Sequence, residues 1–318
     1  LRFGSRSSAN GKVWWLVVRS ALVIAHTGRA RIVDEARRAG LQLLDAGFEV
    51  RMERQEAIDA GLFDRVKVVD GVDCAVGAEI ALVLGGDGTF LRAAELTRPA
   101  AVPLLGVNLG HVGFLAETEP EVLESTIDAI VDRKYQVEER LTIDVEVIRD
   151  GEVVVRQWAL NEASVEKSAR ERMLELAVSV DDVPLLRFGC DGVLCATPTG
   201  STAYAFSVGG PIMWPNVEAL LVVPNAAHAL FQRPLIVSPS STISMELLRH
   251  DHPGVLSCDG RRSAPLAPGS VVRVRRSDLA MRIVRLYGSD FARRLVEKFQ
   301  LPVKGFRDGP GLTPHPLL

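Results

Sequence analysis

Cysteine is scarce in this chain. Four residues, at positions 74, 190, 195 and 258 of 318, form no Cys-x-x-Cys pair, which excludes a zinc ribbon and a thioredoxin-like dithiol. So few thiols in so long a chain fit a reducing compartment, and the protein is expected to be cytoplasmic. The six histidines form no His-Glu-x-x-His, so no protein-ligated metal centre is expected. A basic excess is missing as well: 37 Lys and Arg against 40 Asp and Glu give a net charge of −3. That balance argues against a nucleic-acid partner. Apolar runs are short. Val13–Val18 and Ala21–Ala25 are split by Arg19-Ser20, well below the ~20 residues that a membrane helix needs. There is no repeat of solenoid period. Gly106, Gly110 and Gly113 are spaced too widely for a Gly-x-Gly-x-x-Gly dinucleotide fingerprint.

At 47% hydrophobic and 24% charged over 318 residues, the chain is long enough for roughly two globular domains. Residues 1–20 read as a loose extension. Strand patterns at Ala21–Ala25, Phe48–Met52, Val66–Val69, Ile80–Leu84 and Pro103–Asn108 alternate with helical patterns. One helix presents Ile32, Val33, Ala36, Leu43 and Leu44 before Gly47, and another covers 119–133 with Pro120 in its first turn. This alternation predicts a parallel, doubly wound α/β domain over 21–134. From Tyr135 the texture changes to short Val/Ile/Leu runs, such as Leu141–Ile148, Leu174–Val180 and Val271–Val274. Asp150-Gly151, Asp181-Asp182 and Asp259-Gly260 punctuate them. Such dipeptides between apolar runs signal hairpins, so an all-β, sandwich-like domain is expected over 135–288. A helix with Phe291, Leu295, Val296 and Phe299 follows within 289–307, and the Pro- and Gly-rich segment 308–318 is expected to be disordered.

Three constellations carry chemistry. Gly85-Gly86-Asp87-Gly88-Thr89 stands between a buried strand and a helix. Glycines permit positive φ and leave bare N–H groups to line a nest for phosphate oxygens. Thr89 suits an N-cap, and the helix dipole would face the same spot. A cradle that only binds phosphate would not want Asp87, whereas a site that deprotonates or orients a hydroxyl would. Arg92, in the first turn, either meets a phosphate or lies exposed. The second constellation is Thr197-Pro198-Thr199-Gly200-Ser201-Thr202-Ala203-Tyr204, after the buried run Val193–Ala196. Its hydroxyls can bond ribose and phosphate oxygens and its tyrosine can stack on a base, or it is a solvated loop rich in Ser and Thr. The third is Asn161-Glu162, a pair able to read a base edge and ribose hydroxyls, or a simple strand-end turn. Asp191-Gly192 reads as weakly, with a hairpin turn as its alternative.

Taken together these residues resemble the NAD kinases. Gly85–Thr89, Gly106–Leu115, Asn161-Glu162, Asp191-Gly192, Thr197–Tyr204 with Gly209-Gly210-Pro211, and Asp259-Gly260 fall in that family's order. The glycine motif alone is shared with diacylglycerol and sphingosine kinases and partly with phosphofructokinases. The Thr-Pro-Thr-Gly-Ser-Thr-Ala-Tyr string is far more specific to NAD kinases. Val107–Gly110 and Ser257–Gly260 look most like actinobacterial members.

The resemblance implies an N-terminal α/β domain and a C-terminal β-sandwich with the active site between them, and a final helix packed back on the first domain. It implies a homodimer or homotetramer. The implied reaction moves the γ-phosphoryl of ATP, or of polyphosphate in its place, to the 2′-hydroxyl of the adenosine ribose of NAD. A divalent cation, Mg2+, would be carried on the ATP phosphates. Asp87 then matches the general base, and Gly85, Gly86, Gly88 and Arg92 its neighbours in the nucleotide site. Asn161 and Glu162 match the pair on the adenosine side of NAD. Asp191, Thr199, Gly200, Ser201, Thr202, Ala203 and Tyr204 match further dinucleotide contacts, Asp191 partly from a neighbouring subunit. Arg172 matches another substrate contact through a loosely aligned segment. Gly189 departs from the pattern, because many members carry a basic residue there. A lipid kinase would share the glycine motif and lack the 199–204 loop. A non-catalytic NAD-binding regulator would have lost Asp87 or the glycines.

Overall fold

The structure, a computed structural model, describes residues 18–109, 113–115, 123–168, 173–248, 252–286 and 291–303. The first half winds a sheet whose central strands are apolar runs buried on both faces, as parallel strands under helices must be. Strands β1 (Ser20–Ala25), β2 (Glu49–Glu53), β3 (Lys67–Val69), β4 (Ile80–Leu84) and β5 (Leu104–Val107) lie in the order β3-β2-β1-β4-β5 and are parallel throughout. Helix α1 (Ala30–Asp45) buries Ile32, Ala36, Ala39 and Leu43, a stripe at helical spacing. Short α2 (Arg54–Asp59) follows β2, α3 (Asp87–Thr97) follows β4, and α4 (Leu123–Asp132) covers Ile127 and Ile130. The expected helix over 119–133 is thus seen from Leu123, and its Pro120 lies outside the described residues.

The second half is antiparallel. Strands β7 (Ile143–Arg149), β8 (Glu152–Ala159), β10 (Leu174–Val180), β11 (Val183–Cys190), β15 (Ile243–Leu247) and β18 (Val271–Arg276) form one six-stranded sheet. A second is made of β9 (Glu162–Lys167), β12 (Gly192–Ala196), β13 (Leu220–Asn225), β14 (Leu235–Val237), β16 (Gly254–Cys258) and β17 (Arg262–Leu266). Their inner faces share one core that includes Val145, Val165, Leu176, Val193, Met245 and Val272. The acidic turns predicted from sequence close three hairpins. Asp150-Gly151, Asp181-Asp182 and Asp259-Gly260 all take positive φ, the left-handed geometry that tight hairpins need. Cys190, Cys195 and Cys258 are buried in this core and Cys74 in the first half; all four are free thiols.

Two strands inside the span 135–288 belong to the first sheet. β6 (Gln136–Arg140) and β19 (Met281–Arg285) extend it in the order β5-β19-β6, β19 parallel to β5 and β6 antiparallel to β19. Short strand patterns do not say which sheet they join, so a change of texture at Tyr135 could not locate this crossing. The chain therefore passes between the halves twice, after β6 and before β19. Arg98, just past α3, secures both passages. It donates to Thr142 Oγ1 (3.3 Å), Ser277 Oγ (2.6 Å) and the Leu279 carbonyl (3.1 Å).

Helix α5 (Tyr204–Ser207) is a single turn, and α6 (Phe291–Phe299) closes the described fold. One face of α6 meets both halves. Phe291 and Phe299 lie 6.0 and 5.6 Å from the Phe114 ring, Phe299 lies 4.4 Å from Phe206, and Phe291 lies 5.1 Å from Trp214. Because Phe291 is buried in this cluster, Phe291→Ala is expected to cost about 3–5 kcal/mol of stability in denaturant titration. A loss under about 0.5 kcal/mol, typical of a surface substitution, would show that α6 does not hold the two halves.

Candidate active site

The strand order reverses direction between β1 and β4, and the carboxyl ends of such strands form the natural ligand crevice of an open α/β sheet. A cavity of about 730 Å³ lies there. It is lined by His26 and Thr27 after β1, Glu53 and Glu56 after β2, Gly86 and Gly88 after β4, and Asn108 after β5. Arg261, from the β16–β17 turn, also lines it, so the second half reaches over the crevice.

Helix α3 begins at Asp87, with Gly86 as its extended N-cap. Thr89 is therefore inside the first turn rather than capping it. The reason is that the Gly86 carbonyl already accepts the first helical N–H groups, from Thr89 and Phe90 at 3.0 and 3.1 Å. A Cβ at Gly86 or Gly88 would meet nothing within 4 Å. These glycines keep the helix N-terminus bare toward the cavity, a ready anion site. Asp87 is half-buried, and its two oxygens accept the backbone N–H groups of Leu115 (Oδ1, 3.2 Å) and Phe114 (Oδ2, 3.3 Å). Gly113 fixes this approach: a Cβ there would stand 2.4 Å from Asp87 Oδ1. Gly113 carried no fingerprint in the sequence. Its role follows only from the carboxylate beside it.

Arg92 is neither free for phosphate nor exposed on a helix. It pairs with Glu53 at 2.6 Å and with buried Glu56, and donates to the Ala25 carbonyl at 3.1 Å. Burial opposes its charge, but the two carboxylates outweigh burial and raise its pKa. Glu53 and Glu56 gave no sequence signal, because acidic residues at a strand end and in a short helix are ordinary.

The second group of residues sits on β9 and its neighbours. β9 alternates, with Ala163 and Val165 toward the sandwich core and Glu162, Ser164 and Glu166 on the other face. The preceding turn is held by Asp259, which accepts the N–H groups of Leu160 (3.0 Å) and Asn161 (2.7 Å). Thr197 then locks onto it, its N–H to the Asn161 carbonyl at 2.8 Å and its hydroxyl to the Leu160 carbonyl. The 3-10 turn Thr199–Thr202 packs so closely here that a Cβ on Gly200 would lie 2.0 Å from the Asn161 oxygen. Part of the donor-rich loop is thereby used internally. Ser201 is buried, and its hydroxyl bonds Pro198 and Met213 backbone atoms, while Thr202 bonds the Thr199 carbonyl. A short turn leaves backbone groups unpaired, and these hydroxyls pair them. Ala203 links this turn to α5.

Glu162 is 6% exposed, and its Oε2 has no hydrogen-bond partner. Burial, with nearby Asp259, drives its pKa up to about 8, against one opposing bond from the Tyr204 N–H. It is thus a neutral carboxylic acid at pH 7, able to donate as well as accept. The half-buried Tyr204 crosses the same face, and its hydroxyl accepts from Asn225 at 3.3 Å and bonds Glu166. At that far end Asp191 pairs with Lys167 at 2.6 Å. Lys167 therefore supplies the positive charge beside Asp191, where Gly189 lacks one. Glu166, Lys167 and Asn225 were missed by sequence reasoning; the alternation of β9 was the signal that could have found the first. Arg172 lies outside the described residues. The group around Asp87 and that around Glu162 meet through α6, which touches Phe114 beside Asp87 and Phe206 beside Tyr204.

Residues 21–135 match the model for the ATP-NAD kinase N-terminal domain, and residues 160–286 that for the ATP-NAD kinase C-terminal domain. The chain is 51% identical over 295 residues to NAD kinase 2 of Streptomyces coelicolor, covering 92% of this chain and 98% of that protein. It is 54% identical over 299 residues to the NAD kinase of Thermobifida fusca, covering 91% of each. Among solved structures it resembles yeast NADH kinase complexed with NADH, with a TM-score of 0.83 at 22% identity over 95% of this chain and 92% of that one. It also resembles an NAD kinase from Archaeoglobus fulgidus in complex with ATP, with a TM-score of 0.67 at 26% identity over 89% and 99% of the two chains.

The state of Glu162 makes stability depend on pH in a definite direction. Its folded pKa of about 8 exceeds the ordinary value of 4.5. The folded protein therefore binds the extra proton between those limits, and stability falls as pH rises through them. Below 4.5 the residue is neutral in both states and imposes no penalty. Glu162→Gln should match wild type at the acid end and gain on it steadily toward pH 8, by about 1.4 kcal/mol for each tenfold change in proton affinity. Denaturant midpoints across pH check this, and parallel curves would refute it.

Proposed function

Since the chain belongs to the NAD kinase family, we propose that it transfers the γ-phosphoryl of ATP, or of polyphosphate, to the 2′-hydroxyl of the adenosine ribose of NAD. The observation that carries the reading is Asp87: one carboxylate at the bare N-terminus of α3, both oxygens oriented by backbone N–H groups. Donor phosphates lie over Gly86 and Gly88, with Gly85 below and Arg261 at the rim, while Arg92 holds Glu53 and Glu56 in the cavity wall. Asn161 and Glu162 hold the adenosine side of NAD, Glu162 donating from its acid form and Asn161 from its amide. Tyr204 offers a ring fixed along the strand face, and Thr199, Thr202 and Asp191 supply polar contacts around it. Gly200, Ser201 and Ala203 shape that loop.

Phosphoryl transfer proceeds through a loose transition state, so positioning and charge stabilisation dominate. The ribose oxygen attacks the γ-phosphorus in line, its proton passes to Asp87 as the O–P bond forms, and the bond to the β-phosphate oxygen breaks to release ADP. Among the described residues no cluster of three or more His, Cys, Asp or Glu could hold a metal, and Glu53 and Glu56 are committed to Arg92. A divalent cation such as Mg2+, if it comes with the substrate, would be held by the ATP phosphates and would supply charge neutralisation there. No helix of the described residues is long and apolar enough to cross a membrane. From the four free thiols we infer a reducing, cytoplasmic setting, and an assembly as a homodimer or homotetramer, for which exposed Leu230, Phe231 and Ile236 provide apolar surface.

The purified full chain, given NAD, Mg2+ and ATP or polyphosphate, should make NADP that an NADP-specific dehydrogenase detects. Asp87→Asn should keep the fold and lose turnover by about 10²–10⁴-fold, the usual worth of a general base. A near-wild-type kcat would overturn the base assignment. Tyr204→Ala should raise KM for NAD, since base stacking is worth about 1–3 kcal/mol, with kcat less affected. Tyr204→Phe, which keeps the ring, should largely restore it. An unchanged KM in Tyr204→Ala would make the ring structural.

A further inference from the structure

Asp87 and the Asn161-Glu162 turn stand on different sheets, yet in-line transfer needs the base and the acceptor hydroxyl in fixed register. Helix α3 carries Asp87 at its first position and Glu95 two turns later. On the other side, the Asn161-Glu162 turn hangs from the Asp259 carboxylate. One side chain touches both. Arg262 donates from Nη2 to Asp259 Oδ2 at 2.6 Å, and its Nε lies 3.5 Å from Glu95 Oε1. Its guanidinium also lies over the Trp158 ring, 4.4 Å from the centroid. Its neighbour Arg261 makes a separate two-pronged contact with Glu95, at 3.0 and 3.2 Å. Arg261 lines the cavity, and Arg262 does not.

Stability alone is a poor account of Arg262. Its Nε and Nη1 are buried without a hydrogen-bond partner, a desolvation cost that its one hydrogen-bonded ion pair, to Asp259, and the longer contact with Glu95 offset only in part. Position is the better account. Burial pushes the Asp259 carboxyl upward, and the Leu160 and Asn161 N–H groups and then Arg262 oppose that rise. An ionised Asp259 accepts both N–H groups at once, whereas a protonated one gives up acceptor capacity. Arg262 thus keeps the clasp on the turn closed while gripping the helix of the base.

We propose that Arg262 is a positioning residue for the transfer, tying the Asn161-Glu162 turn, through Asp259, to the helix of Asp87, through Glu95. This rests on the phosphotransferase reading above. Cutting the tie misaligns base and acceptor while leaving the donor cavity intact. In the full chain, Arg262→Ala should therefore lower kcat by about tenfold to hundredfold, with KM for ATP within about twofold of wild type. Arg262→Lys keeps a cation at Asp259 but lacks the planar fork that reaches a second carboxylate. It should fold with an unchanged thermal midpoint and recover part of kcat, so it decides the matter should the alanine variant fail to fold. Adding Arg262→Ala to Glu95→Ala should cost less than Arg262→Ala costs alone, because the arm to the helix is already cut and only the hold on Asp259 remains to be lost. The proposal is overturned by a wild-type kcat in Arg262→Ala or Arg262→Lys, or by losses from Arg262→Ala and Glu95→Ala that multiply. Absence of NADP formation by the wild-type chain would instead sink the functional reading, so the two failures are distinguishable.

Discussion

One indole ring takes two guanidinium groups. Arg98 and Arg262 lie 4.3 and 4.4 Å from the centroid of Trp158, and the joint between the two halves is built around that ring. Each contact is worth about 0.5–2 kcal/mol, more as water is excluded. Bringing two like charges to one ring is tolerable only because each is answered: Arg98 by Asp144 at 3.5 Å and by backbone and hydroxyl acceptors, Arg262 by Asp259. Burial lowers the pKa of Arg98, with Arg262 adding to that and Asp144 opposing it. From this ring the constraint spreads. Arg98 fixes the end of α3 and both chain crossings, and Arg262 fixes the Asn161-Glu162 turn.

The two sheets contribute in different ways. The parallel sheet works through strand ends, where helix N-termini and short loops converge on one crevice. The antiparallel sheet works through a strand face, where Glu162, Ser164 and Glu166 line up at alternate positions of β9. The first arrangement suits a compact anion, and the second suits an extended ligand laid along a surface. Glu162 shows what burial accomplishes here: the same carboxyl that would be an anion in water becomes an acid with one oxygen unpaired.

Much of the fold was legible because local chemistry determined it. The strand runs β1, β4 and β5 are too apolar and too short to be anything else, and the acidic turn dipeptides adopt the left-handed geometry that marked them as hairpins. The glycine motif was legible for the same reason, although its glycines act by leaving space rather than by adopting unusual torsions at Gly86 and Gly88. What was not legible depends on contacts remote in sequence. Arg92 is claimed by Glu53 and Glu56, 39 and 36 residues away. Asp259 holds a turn 98 residues earlier. No spacing rule connects such positions. The placement of β6 and β19 in the first sheet escaped likewise, since a strand's period of two records which face is buried and not which neighbour it pairs with.

The burial of every cysteine has a chemical corollary. Cys195 and Cys258 sit on either side of Ala163 in adjacent strands, and burial drives both thiols up to about 12. Burial also raises Cys74. Thiolate, not thiol, is the form that peroxide, glutathione disulfide and alkylating agents attack. The folded protein thus keeps these three thiols from presenting a thiolate to oxidants, although its product is itself a redox carrier. The Cys195 and Cys258 thiols become reactive only when the sandwich opens, and the rate of their capture by such reagents is a direct clock of that opening.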